Sequence, residues 1–100
     1  MYRLDVRSEA LEELEEAAAW YEAHRPGLGL EFFAEVERII ASIGERPHSF
    51  PPWSEGYPYH KASSPRFPYV VYFEIYDERV VVSAVAHTSR QPGYWVGRSQ

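Results

Sequence analysis

The chain has 100 residues, no cysteine, 45% hydrophobic and 25% charged residues, and a formal net charge of −5. These values exclude a disulfide scaffold, a thiolate zinc site and a disordered chain, and they disfavour a generic nucleic-acid binder. The absence of any run of 18 apolar residues excludes a hydrophobic membrane-spanning helix. The first residues, MYRLDVRSE, lack the pattern of a secretory signal. One cytoplasmic domain over residues 1–100 is the expectation. The charge is uneven: residues 1–45 hold eleven acids against four arginines, while residues 46–100 hold four acids against six bases. The helices are therefore acidic, and the sheet and tail carry the cations.

Tyr2, Leu4 and Val6 alternate with Arg3, Asp5 and Arg7, which predicts a short strand with one buried face. Ser8 is placed to cap a helix, followed by Glu9, Glu12 and Glu13 near its positive end. Leu11, Leu14, Ala17, Ala18 and Tyr21 form its apolar stripe. Glu12, Glu13, Glu15, Glu16 and Glu22 cover the remaining face, as a solvated surface or as a docking surface for a basic partner. Arg25-Pro26-Gly27-Leu28-Gly29 breaks the helix. A second helix runs from about Leu30 to Ile43 with Phe32, Phe33, Val36, Ile39, Ile40 and Ile43 on its stripe, and Gly44 and Pro47 end it. The short connection makes the pair an antiparallel hairpin.

Residues 46–58 form a proline-rich loop, pinned by Phe50, Trp53 and Tyr57. Tyr59 to Ser63 reads as a short edge strand, and Ser64-Pro65 turns the chain into its longest β segment. From Arg66 to Arg90 two strands rich in Val, Ile, Phe and Tyr meet at a tight turn, Asp77-Glu78. Pairing Tyr76 with Arg79 places Tyr69, Val71, Phe73, Ile75, Val80, Val82, Ala84 and Ala86 on one apolar side. The other side then carries Val70, Val85, Arg66 and His87. The order β-α-α-β-β-β defines an α+β fold: a helical hairpin on one face of a small, mainly antiparallel, twisted sheet.

Nucleotide-binding loops, zinc-protease motifs and nucleophile elbows are absent, and His24, His48, His60 and His87 lack metal-ligand spacing. No metal or cofactor is expected. A basic-aromatic set remains: Lys61, Arg66, His87, Arg90, Tyr94, Trp95 and Arg98. Arginine forks bind phosphates, aromatic rings stack on bases, and His87 could move a proton near neutral pH. The plainer alternative has Arg90 and Arg98 in ion pairs with glutamates, and Tyr94 and Trp95 packing the tail onto the sheet.

WYEAHRPGLG in the helical hairpin, RFPYVVYFEI in the third strand and VSAVAHTSRQPGYWVGR at the end resemble the RelE/ParE superfamily of type II toxin–antitoxin toxins. The resemblance runs from Leu4 to Arg98 and implies the same α+β fold. It also implies a cognate antitoxin and one of two activities. RelE-like members cut mRNA on the ribosome with basic residues and a C-terminal tyrosine; ParE-like members poison DNA gyrase. Arg90 matches the family's arginine after the last strand, and Lys61 matches a basic residue of the second strand. The third-strand arginine of the ribonucleases is replaced by the Tyr69-Val70 region, and Tyr94 follows Arg90 at a shorter spacing than the tail tyrosine. The PGYW context and the long hairpin resemble ParE members, and the acidic total disfavours engagement of ribosomal RNA. The resemblance therefore implies a gyrase-binding toxin with target contacts at Arg66, His87, Arg90, Tyr94, Trp95 and Arg98. The alternatives are a ribosome-dependent endoribonuclease using Lys61, Arg66, His87, Arg90 and Tyr94, or a member that binds only antitoxin. The acidic first helix predicts compensating Lys or Arg on the partner.

Overall fold

The computed structural model describes residues 2–98. It contains β1 (Arg3–Val6), α1 (Ser8–His24), α2 (Leu28–Glu45), a single 3₁₀ turn (Pro47–Ser49), β2 (Tyr59–Ser63), β3 (Tyr69–Ile75) and β4 (Arg79–His87). The sheet order is β1-β4-β3-β2. β1 runs parallel to β4, and the other two pairings are antiparallel. Both helices pack on one face, as the apolar stripes predict. Leu14 and Ala17 of α1 and Phe32, Val36 and Ile43 of α2 bury against Val71, Phe73, Val80, Val82 and Val85.

The two helices approach closely where α2 begins. A Cβ built on Gly29 would lie 2.4 Å from the Ala18 carbonyl oxygen, so only glycine lets α2 start against α1. Gly44 does not end its helix as expected. It lies inside α2, where a Cβ would meet Leu4 at 2.8 Å, and this contact seats α2 on β1. Ser8 does not cap α1 either. Arg7 occupies the cap position without a side-chain bond, and the Ser8 hydroxyl turns to Glu9. Ala10, not Leu11, faces the core, and Leu11 stays exposed.

The β3–β4 hairpin starts in the expected register, with Ile75 opposite Val80 and Phe73 opposite Val82. Tyr72 then pairs with Ala84, so Ser83 is an extra residue, a β-bulge. Beyond it each side chain changes face. Val85 joins the helix-side core and His87 pairs with Tyr69, whereas Ala84 and Ala86 turn to the opposite face. The expected eight-residue apolar side is thus corrected at Ala84 and Ala86, and His87 does not share a face with Arg66 by that register. The cause is burial on both faces: every residue from Val80 to Ala86 is buried, so the β4 sequence holds no alternation of apolar and polar side chains to mark the slip.

The second face is covered by the tail and the proline loop. Trp95, 1% exposed, stacks on Tyr72 with ring centroids 3.7 Å apart and meets Trp53 edge-on. The loop also closes the β2 edge, through Trp53 N–H to the Tyr59 carbonyl and Lys61 N–H to the Pro51 carbonyl. Phe50 packs on Phe73 from the helix side, so Phe50 and Trp53 pin the loop as expected, whereas Tyr57 is exposed and leans on Trp53.

Candidate functional site

At the far end of β4 the chain turns sharply. Ser89 N–H donates to His87 Nδ1 at 3.0 Å, the Arg90 N–H donates to the His87 carbonyl, and Thr88 N–H donates to Pro68. A backbone N–H can only donate, so Nδ1 accepts and the neutral ring carries its proton on Nε2. His87 is thereby a structural part of the turn. Its ring also meets Tyr69 edge-on at 5.1 Å.

Four of the seven predicted residues, His87, Arg90, Tyr94 and Trp95, line one recess of about 150 Å³ on the tail side, walled by Trp53 and Tyr72. His87 and Arg90 also line a larger open groove of about 560 Å³, whose other wall is Glu16, Trp20 and Tyr21 of α1. Arg90 therefore stands on the ridge between the two depressions. Its guanidinium lies 4.0 Å from the centre of the Tyr94 ring and forms no ion pair among the described residues.

The other cations are placed differently. Arg98 Nη1 pairs with Glu13 Oε1 at 3.0 Å, as the plainer alternative anticipates. Arg66 pairs with Glu31 of α2 and lies against Phe67, and it lines neither of these two depressions. That guanidinium, with Arg25 nearby, holds the Glu31 carboxyl below its usual range. Lys61 pairs across strands with Tyr72, and so occupies the tail-side face of the sheet from its β2 position. The Tyr94 hydroxyl donates to Glu13 Oε2 at 2.6 Å, and burial together with that bond pushes its pKa well above the usual phenol range.

Glu13 is the site residue that composition hides. It looks like one more surface glutamate, yet its side chain is only 16% exposed and accepts bonds from Tyr94, Arg98 and the Val85 N–H. The signal is its spacing: three residues after Ala10 and four before Ala17, both buried, it falls on the inward edge of the stripe. Trp20, exposed beside the groove and stacked on His24 at 3.9 Å, was also outside the predicted set. Among the described residues no three His, Asp or Glu side chains converge as metal ligands.

Two helices packed on one face of a four-stranded mixed sheet make a fold shared with a solved toxin–antitoxin structure. The structure titled "Chromosomal ParDE TA system from P. aeruginosa" superposes with a TM-score of 0.77 at 13% identity, covering 87% of this chain and 96% of that one. A search of curated proteins found no match. The sequence from residue 4 to residue 92 matches the family described as the ParE toxin of the type II toxin–antitoxin system, parDE. The chain belongs to that family.

Proposed function

We propose that this protein is a single-domain, cytoplasmic growth-inhibiting toxin that acts by binding DNA gyrase through the Arg90 ridge and the tail, and that a cognate antitoxin neutralises it. Arg90 is the observation that carries the reading. It is exposed, its charge is not consumed by a carboxylate among the described residues, and aromatic surface flanks it on both sides. Such a cation beside buried aromatics suits a protein interface, where arginine and aromatic anchors dominate the binding energy.

The ribonuclease alternative needs Lys61, Arg66, His87, Arg90 and Tyr94 to act on one scissile phosphate. Arg66 is held by Glu31 of α2. The Tyr94 hydroxyl donates to Glu13, and its raised pKa makes it a poor base at neutral pH. His87 Nδ1 is taken by Ser89. These commitments favour recognition over RNA cleavage. The antitoxin reading draws on the family and on α1, whose Glu12, Glu15 and Glu16 form no ion pairs among the described residues and suit a partner segment bearing Lys or Arg.

The test is a plasmid supercoiling assay with purified protein. Blocked supercoiling or trapped cleavage complexes are expected. Normal gyrase activity at stoichiometric excess, together with cleaved transcripts in primer extension after induction, would replace this reading with the ribonuclease.

A further inference from the structure

Across the sheet, the ladder between β1 and β4 ends early. The last bond on that side runs from the Arg7 N–H to the Val82 carbonyl at 2.9 Å, because the chain then enters α1. The rest of β4 is left with an open edge, and the Ser83 bulge shifts its pattern. Two side chains complete that edge. Arg98 Nη1 donates to the Ser83 carbonyl at 3.2 Å, and Glu13 Oε1 accepts the Val85 N–H at 3.0 Å. The same two side chains pair with each other, half-hidden at 20% and 16% exposure.

Glu13 therefore gathers three donors from parts of the chain distant in sequence: the β4 backbone, the Tyr94 hydroxyl and the Arg98 guanidinium. The Tyr94 ring in turn supports Arg90 at 4.0 Å and Arg98 at 5.0 Å. One carboxylate of α1 is thus two contacts from the exposed cation of the ridge. We infer that Glu13 is the positioning residue of this surface, fastening the tail to α1 and β4 and so fixing where Arg90 is presented. Neighbouring Glu12 and Glu16, on the same helix, have no such role: they accept no side-chain hydrogen bond or ion pair among the described residues.

This inference rests on the reading of the Arg90 ridge as the target surface, so its test has two separate arms. The first is hydrogen exchange on the full chain carrying Glu13→Ala or Glu13→Gln. The Val85, Val96, Gly97 and Arg98 amides, bonded respectively to Glu13, Gly93, the Tyr59 hydroxyl and Trp95, should exchange faster by about ten-fold or more in Glu13→Ala. The Phe73 and Val80 amides, deep in the sheet, should not change. Glu13→Gln keeps one acceptor oxygen and should restore part of the protection. Tail amides that stay protected in Glu13→Ala overturn the inference.

The second arm is gyrase inhibition, which should weaken by about ten-fold in Glu13→Ala and less in Glu13→Gln. A released tail with undiminished inhibition also overturns the positioning role. If the wild-type protein leaves gyrase untouched, the functional reading fails, and the exchange arm alone decides whether Glu13 fastens the tail. Should Glu13→Ala fail to fold, Tyr94→Phe removes only the hydroxyl; a smaller rise at the same amides supports the inference and no rise overturns it.

Discussion

Glu13 and Tyr94 are 81 positions apart in sequence and joined by a hydrogen bond of 2.6 Å. That one contact ties the acidic helix to the tail and divides the molecule into a core that folds and a ridge that presents. Predictions follow from each part.

Trp95 is the keystone of the tail-side face. It is buried on Tyr72, Trp53 and Tyr59, with Ala84 beneath. Trp95→Ala should cost about 3–5 kcal/mol, a large share of the stability of a domain this size. Urea denaturation followed by far-UV circular dichroism measures it. A loss below about 1 kcal/mol would mean that the tail does not pack as described.

Gly29→Ala tests the closeness of the helices. Alanine is the better helix former by about 1 kcal/mol, so propensity alone predicts a gain. The added methyl would lie 2.4 Å from a backbone oxygen of α1, which cannot yield without moving the helix. The clash should win, with a net loss of about 1–3 kcal/mol and a lower Tm. A raised Tm would show that the hairpin has room.

Stability should fall at alkaline pH. Burial first, then the bond to Glu13, raises the Tyr94 pKa above the ordinary phenol value of about 10, and burial also raises those of Tyr69 and Tyr72. The unfolded chain loses these protons near pH 10 while the folded chain keeps them, so this stabilisation is intact below about pH 10 and is lost as pH rises further. Tyr94→Phe should cost about 1 kcal/mol at neutral pH through the lost bond, yet flatten the alkaline decline. An unchanged alkaline slope in Tyr94→Phe would contradict the assigned environment.

Much of this architecture was legible because periodicity reports burial. Phe32, Val36 and Ile43 mark α2 at helical spacing, and Phe73 opposite Val82 marks the hairpin near its turn. The reading failed where burial no longer varies with position. In Val81-Val82-Ser83-Ala84-Val85-Ala86 every side chain is buried, so no alternation of hydropathy reports the change of face at Ser83, and the periodicity places Val85, Ala84, Ala86 and His87 on the wrong sides. The candidate site was half legible for a related reason. Residue type picked out Arg90, Tyr94 and Trp95, but type alone could not tell that Arg66 is taken by Glu31 while Arg90 is left without an ion pair among the described residues. Pairing depends on which helix face meets which turn, and that is settled only by tertiary packing.

The central claim is that the Arg90 ridge binds gyrase without relying on Arg66. A calorimetric titration of gyrase with the wild-type protein, Arg90→Ala and Arg66→Ala tests it most directly. Arg90 is exposed, so its removal should change stability by no more than about 0.5 kcal/mol. Binding should nonetheless weaken by at least about ten-fold in Arg90→Ala and stay close to wild type in Arg66→Ala. Equal affinity of wild type and Arg90→Ala, or no binding by the wild type at all, would contradict the account.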